Sequence, residues 1–416
     1  MMTKGNMLDT LRDTPKKAIG HYLVESDLLT AHQIELVLNE QRQNPVRIGR
    51  LIAEKGWVSQ QTIDFIVERV IEPERQAELH KTSPQMTLVK MLTGTWPAQC
   101  IYVAATLGIA DLLKDGAKSI DELAELTESY APNLYRMLRA LASVSVFAEV
   151  SPKCFSLTEM AEYLCCDHPK SLRELGMMLS DKWHWDSWGD VLHVVKTGQP
   201  PLQHLYQVNN AFEYFQKNPP SGKLFDKAIS GWAKNTHAAI VHSYDFSGIE
   251  TIVDVAGGHG ALIAAILNAN PHMKGVLFDL PHVISEAKAF LQSSGVAHRC
   301  ATSTGNFFHS VPPDGDAYII AHTIHNWDNE ACLSILQSIR KSMPHKSRLL
   351  VLEMVMPVGN EPHFSKWLDL DMLMMFSGGR ERTEAEYREL FSAAGFELTQ
   401  IVPTSCPSSI IEGVCI

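Results

Sequence analysis

No two of the eight cysteines are spaced as C-x-x-C, and Cys165 and Cys166 are adjacent. That usage excludes a cysteine zinc site and suits reduced thiols better than a disulfide framework. Basic charge is also short: 36 lysines and arginines stand against 47 aspartates and glutamates, a net charge of −11, with no basic cluster to track a phosphate backbone. Nucleic acid is therefore not expected as a partner. The first residues, MMTKGNMLDTLRDTPKKA, are polar where a signal peptide needs an apolar centre, and no apolar run is long enough to span a bilayer. The expected location is the cytoplasm, without membrane association. At 416 residues the chain exceeds what one hydrophobic core usually organises, so two or three domains are expected.

The N-terminal stretch contains a repeat. IGHYLVESDLLTAHQIELVLNEQ begins at Ile19 and IGRLIAEKGWVSQQTIDFIVERV at Ile48, 48 − 19 = 29 residues later. Gly20 matches Gly49, Leu23 matches Ile52, Thr30 matches Ser59 and Ile34 matches Ile63. Each unit reads as a short helix, a turn and an N-capped second helix. The repeat resembles the N-terminal domains of type II secretion and type IV pilus assembly ATPases, some of which bind cyclic di-GMP. Arg47, Ile48, Gly49 and Gln41 fit that pattern, whereas Ala18 and Val70 depart from it. The expected role of residues 1–80 is a docking or stabilising module, with a cyclic dinucleotide as the alternative ligand.

Residues 81–184 are mostly helical and contain VFAEVSPKCFSLT, which alternates and turns at Ser151 and Pro152 like a hairpin. Helices followed by a hairpin predict a winged helix. The acidic balance argues against DNA for it, and apolar helices such as IYVAATLGIADLL suit a dimer partner. From residue 185 onward strands and amphipathic helices alternate, from TIVDV to SRLLVLEMVMP, which predicts an α/β fold with a parallel, doubly wound sheet. Such sheets hold ligands beyond the carboxyl ends of their strands.

TIVDV runs into AGGHGA, where Gly257, Gly258 and Gly260 permit a tight turn and close approach of a ligand to backbone. The dinucleotide fingerprint fails, because Ile263 stands at its third glycine. Asp279 closes the next strand, 279 − 260 = 19 residues past Gly260, placed to accept ribose hydroxyls. A glycine loop with a ribose acid suggests a nucleoside cofactor that lacks a pyrophosphate.

Here the sequence resembles the S-adenosylmethionine-dependent O-methyltransferases of the caffeate and hydroxyindole type and their bacterial relatives. The resemblance rests on LYRMLRALAS, VDVAGGHG, FDLPHV, GNFF, HTIHNWDNE, LEMVMP and GGRERTEAEYRELFSAAGF, in that order over residues 86–416. It implies a Rossmann-like class I methyltransferase domain preceded by a winged-helix dimerisation domain, an intertwined homodimer, and S-adenosylmethionine as cofactor. By the same resemblance Gly257, Gly258 and Gly260 line the methionine end of the cofactor, Asp279 holds its ribose, and Asn306 and Phe307 flank the adenine. Ala256 stands where a glycine is common, and Asn306 where an aspartate is usual.

Methyl transfer from a sulfonium needs an in-line approach, a dry pocket and removal of the hydroxyl proton. A phenol has a pKa of about 10 and a free histidine about 6.5, so a histidine at a strand end can take that proton as the oxygen attacks. His325 satisfies this and stands where the family carries its base. His322, three residues before it, matches no catalytic position, and the two histidines lack the further ligands of a metal site, so no metal is expected. Glu353, within an apolar strand, and Glu381, in GGRERT, are the candidates for fixing the tautomer of His325, with Glu353 preferred on its chemistry. Asn326 either bonds substrate or caps the following helix. By family position the acceptor pocket draws on Phe225, Ile229, Trp232, Met372, Met375 and Phe376, a surface suited to a small hydrophobic aromatic or polyketide-like hydroxyl compound. Two rival readings remain. A relative could bind the cofactor yet perform another reaction, which intact His325, Glu353 and Glu381 argue against; or the chain could be a regulator sensing a cyclic dinucleotide through residues 1–80.

Overall fold

A computed structural model describes residues 19–43, 48–67, 69 and 83–416. The chain divides into two compact units, Met1–Gly94 and Thr95–Ile416.

In the first unit the repeat folds as two helix pairs, Ile19–Glu25 with Ala31–Gln43 and Ile48–Glu54 with Gln60–Ile66. Thr30 and Ser59 cap the second helix of each pair, the Gln33 and Thr62 amides donating to their hydroxyls at 3.3 and 3.1 Å. The glycine shared by the two units has a packing reason. A Cβ on Gly20 would meet Ile34 at 3.0 Å, and one on Gly49 would meet Ile63 at 2.9 Å. Leu23, Leu29, Val37, Leu51, Ile52, Val58, Ile63 and Ile66 form the common core, so equivalent residues of both units close it. Arg47, Ala18 and Val70 lie outside the described residues. The helix Pro84–Leu92 buries none of its residues and leaves Met91 and Leu92 each 72% exposed.

The second unit opens with helices around a small antiparallel sheet, β1 (Lys118–Ser119), β2 (Ala148–Ser151) and β3 (Cys154–Ser156), in the order β1-β3-β2. β2 and β3 are the hairpin that the alternation predicts. Ser119 and Glu122 form a reciprocal capping box at the start of the next helix. This region has its own core, built on Ile109, Leu123, Leu138, Phe147 and Phe155.

The large sheet has seven strands: β4 (Thr251–Val255), β5 (Lys274–Asp279), β6 (Cys300–Thr304), β7 (Ala317–Ala321), β8 (Arg348–Glu353), β9 (Phe396–Pro403) and β10 (Ser409–Cys415). Their order is β6-β5-β4-β7-β8-β10-β9. The first five are parallel, whereas β10 runs antiparallel to β8 and to β9. The parallel, doubly wound sheet expected from the alternation spans β4 to β8, and at one edge it is extended by an antiparallel pair, where a short turn joins β9 to β10 and no crossover helix can fit. Alternate residues feed two layers: Ile252, Leu277, Ile319 and Leu350 pack on one face, and Val253, Phe278, Ile320 and Val351 on the other.

Strand order reverses between β4 and β7. From β4 the chain winds outward through β5 and β6, then returns to β7 on the other side, leaving a crevice at the carboxyl ends of β4 and β7. The glycine loop and the His325 turn both emerge there.

Candidate active site

The loop after β4 is shaped by close contacts. A Cβ on Gly257 would lie 2.5 Å from both Asp254 Oδ2 and Leu277 Cδ1, so only glycine fits. Gly258 has φ = 58°, and a Cβ there would meet nothing within 4 Å, which leaves its outer side open. Ala256 has φ = 57°, the left-handed region that disfavours a side chain and that glycine adopts without that cost. Ala256→Gly is therefore expected to stabilise the protein by about 0.5 kcal/mol, the relief of roughly 1 kcal/mol being partly offset by glycine's greater freedom when unfolded. Thermal unfolding of the full chain checks this, and a lower melting temperature would contradict it.

Asp279 ends β5 with both carboxylate oxygens engaged. Oδ2 accepts from the Gly258 amide at 2.9 Å and Oδ1 from the Leu280 amide at 2.6 Å, fixing the side chain while each oxygen retains acceptor capacity. Asn306 is exposed, and its Oδ1 accepts from the Phe308 amide at 2.9 Å, so its amide nitrogen is the group left for a ligand. Phe307 lies 4.8 Å from Phe308 and 6.2 Å from Trp327, between the β6 loop and the His325 turn.

Asp254, which sequence reasoning passed over, is 1% exposed, and neither carboxylate oxygen of its side chain has a hydrogen-bond partner. Burial, reinforced by Asp279, pushes its carboxyl up to about 8. An unsatisfied acid beneath a glycine loop suits a cofactor with a cationic group, such as the α-ammonium of S-adenosylmethionine. The signal was available in TIVDV: an acid inside a buried strand requires a partner.

His325 sits in a 3-10 turn, Ile324–Asn326, directly beyond β7. Its Nδ1 lies 2.8 Å from Glu381 Oε1 and 3.3 Å from Glu353 Oε2, and both glutamates are fully buried. Glu353 Oε1 also accepts from the amides of Thr323 at 3.0 Å and His325 at 3.3 Å. Glu381, not the preferred Glu353, thus makes the direct bond to the ring, while Glu353 fastens the backbone of the turn. Burial opposes a proton on His325, but the charges of Glu353 and Glu381 outweigh it and raise the imidazole to about 9. With Nδ1 held by carboxylates, Nε2 is the nitrogen free to meet a substrate.

The Glu381 backbone is itself anchored, its amide donating to Asp369 Oδ1 at 2.8 Å. The Arg380 amide donates to the His325 carbonyl at 2.8 Å. A Cβ on Gly379 would lie 2.9 Å from the Met372 carbonyl and 3.2 Å from that of His325, so this turn wedges the helix Ser365–Met375 against the His325 turn. Asp369 was also missed by sequence reasoning.

His322 takes φ = 47°, and its ring centroid lies 6.0 Å from that of His325. Its Nδ1 stands 3.8 Å from Glu353 Oε2, its Nε2 is buried without a partner, and burial pushes it down to about 4. The two histidines are therefore chemically opposite, one favouring a proton and one refusing it. Asn326 reaches back toward the His322 carbonyl at 3.5 Å, and Asp328 caps the following helix through the Ala331 amide at 2.8 Å, so capping is not the role of Asn326.

Of the six apolar residues proposed for the pocket, Phe225, Met372, Met375 and Phe376 join one cluster with Trp183 and Phe215. Phe212, which sequence reasoning did not single out, links them: its ring lies 5.2 Å from Phe376 and 6.3 Å from Phe225. Ile229 is 39% exposed on the same helix as Phe225, Pro219–Ser243, and Trp232 lies 6.4 Å from Phe364 instead.

Residues 188–397 match the O-methyltransferase domain, and residues 89–167 match the O-methyltransferase dimerisation domain. The chain belongs to the S-adenosylmethionine-dependent O-methyltransferases. It is 42% identical over 325 residues to the phenazine O-methyltransferase PhzM of Lysobacter antibioticus, covering 78% of this chain and 94% of that one. To the mitomycin biosynthesis 6-O-methyltransferase of Streptomyces lavendulae it is 32% identical over 346 residues, 82% of this chain and 97% of the other. The solved structure of CalO1, a methyltransferase in calicheamicin biosynthesis in its S-adenosylhomocysteine-bound form, superposes with a TM-score of 0.72 at 32% identity, covering 80% of this chain and 98% of that one. The cofactor of this methyltransferase is S-adenosylmethionine, and the dimerisation domain makes it a homodimer. No helix among the described residues is long and apolar enough to cross a membrane.

Proposed function

We propose that this methyltransferase methylates a hydroxyl on a flat, hydrophobic, aromatic or polyketide-like metabolite, with His325 as general base. The observation that carries the reading is the His325 ring at the carboxyl end of β7, its Nδ1 bonded to Glu381 at 2.8 Å, which leaves Nε2 for the substrate. When bound, the cofactor supplies a methyl group on a sulfonium. Gly257, Gly258, Gly260 and Asp279 hold its methionine and ribose portions, Asn306 and Phe307 its adenine, and Asp254 faces the cationic end. Phe225, Met372, Met375 and Phe376 orient the acceptor and exclude water, Ile229 and Trp232 extend that wall, and Asn326 bonds a polar group of the substrate. Relatives named for phenazine and mitomycin support an aromatic acceptor. Screening hydroxylated aromatics with labelled S-adenosylmethionine, then locating the methyl group, tests this. A methyl group found on carbon or nitrogen would overturn it.

The pH dependence follows from the sign of the His325 shift. A base acts in its neutral form, and with the imidazole at about 9 in the cofactor-free protein that fraction grows with pH up to 9. A sulfonium nearby disfavours the imidazolium, so turnover at saturating cofactor is expected to rise from pH 6 and level off at or below 9. A flat profile from pH 6 to 9 would contradict the assignment.

For the division of labour we read 1–80 as a docking module, 81–184 as the winged dimerisation region and 185–416 as the catalytic region. Both family matches begin after residue 88, and the repeat exposes equivalent apolar residues, Leu36 at 46% and Phe65 at 61%. Removal of residues 1–80 is expected to leave cofactor affinity and turnover of free substrates within about twofold. Cyclic di-GMP added to the full chain decides between partners: saturable binding favours the nucleotide, none favours a protein. All eight cysteines are free thiols, which suits the cytoplasm.

A further inference from the structure

Arg382, the residue after Glu381, is 1% exposed. A fully buried guanidinium needs a reason, and the hydrogen bonds of this one all go to neutral acceptors. Nε and Nη2 donate to Asn329 Oδ1 at 3.1 and 2.9 Å, and Nη2 donates to the Trp327 carbonyl at 3.0 Å. Nη1 donates to the Ile324 carbonyl at 3.3 Å and, more weakly, to that of Arg380 at 3.5 Å, while Nη2 also reaches Cys332 Sγ at 3.4 Å. Ile324 and Trp327 bracket His325, so one rigid fork grips the backbone on both sides of the base. The strand end beside it is fixed as well, because the Met356 amide donates to the Arg382 carbonyl at 2.9 Å.

The charge matters separately from the grip. His325 is faced by Glu353 from β8, by Glu381 and Arg382 from the GGRERT turn, and by His322 from the end of β7. Farther out, Asp369 holds the Glu381 amide, Glu386 lies within reach of the Arg382 charge, Asp328 lies near Cys332 and His237 near His322, while burial pushes Tyr387 and Cys332 upward so that they stay neutral. Two carboxylates and one guanidinium leave a single net negative charge around a neutral imidazole. Without the cation there would be two.

We propose that Arg382 is a positioning residue for methyl transfer with two separable effects: its planar fork clamps the turn that carries His325, and its charge offsets one of the two carboxylates beside that base. This rests on His325 being the base. The guanidinium opposes protonation of His325, in the direction this role requires. Lysine can keep the charge but cannot reproduce a fork that meets two carbonyls and an amide oxygen together.

The test compares pH–rate profiles at saturating cofactor for the wild type, Arg382→Lys, Arg382→Gln and Asn329→Asp, with S-adenosylhomocysteine affinity as the control. Arg382→Gln is expected to move the rising limb upward by about one pH unit and to lower the plateau about tenfold or more. Arg382→Lys should lower the plateau and leave the limb in place. Asn329→Asp keeps the fork and counters the charge, so its limb should rise while its plateau stays within about threefold. Cofactor affinity should hold within about twofold throughout. A folded Arg382→Gln with the wild-type limb, or equal limb shifts in the Lys and Gln variants, would overturn the proposal. If Arg382→Gln does not fold, an unmoved limb in Asn329→Asp overturns it instead. Failure of the base assignment shows differently, as a wild-type profile without a rising limb.

Discussion

His325→Ala should lower turnover about a thousandfold at saturating cofactor and acceptor, with S-adenosylhomocysteine binding unchanged. The residues proposed to hold the cofactor come from β4, β5 and the loop after β6, whereas His325 is on the turn after β7 and makes its polar side-chain contacts to Glu353 and Glu381. Truncation therefore removes the proton acceptor without touching the cofactor loop. It also leaves two buried carboxylates without the imidazole between them, and Glu353, which burial already raises, can take up a proton. Glu381→Gln should act more mildly. The ring keeps the Glu353 charge at 3.3 Å and can still donate to the glutamine oxygen, but it loses the charge of Glu381, so the pH limb falls along with the rate. Turnover of His325→Ala within tenfold of wild type would sink the base assignment.

What the sequence made legible follows the period of its pattern. TIVDV, KGVLFD, AYIIA and RLLVLE are short apolar runs bounded by polar turns, and each became a strand of the parallel part of the sheet. The glycine loop and Asp279 were legible because they are local: both lie at strand ends and close to each other in sequence. The antiparallel edge was not, because FELTQIVP and SIIEGVC carry no mark of direction apart from the short turn that joins them. Site residues divide in the same way. Glu353 stands out as an acid in an apolar strand, but its order relative to Glu381 is set by how two turns 56 residues apart in sequence meet. Asp369 and Arg382 act through backbone groups of that meeting, which no local pattern encodes. Asp254 is the exception, since the rule that marked Glu353 applied to it equally.

Asp254→Asn should stabilise the cofactor-free protein near pH 8 while weakening its hold on S-adenosylmethionine. Unfolded, an aspartate loses its proton near pH 3.9, whereas in the fold Asp254 keeps it up to about 8. A raised acid pKa removes stability. Between those two pH values the unfolded state sheds a proton that the folded state retains, so this group's contribution falls by about 1.4 kcal/mol per pH unit and then levels off. Asparagine does not titrate and escapes the slope. The variant should therefore match the wild type near pH 4 and exceed it increasingly toward pH 8, less a constant penalty for a buried amide that also lacks partners. Affinity should move the other way, because a neutral side chain cannot answer the cationic end of the cofactor. S-adenosylmethionine and S-adenosylhomocysteine should both weaken, since they share that end and differ at the sulfur. Denaturant unfolding across pH 4 to 8, with calorimetric titration of both ligands, checks the two halves together. A stability difference that does not change with pH would mean that the carboxyl titrates normally. Unchanged affinity would mean that it meets no cofactor charge, and the unsatisfied acid beneath the glycine loop would then lose its functional explanation.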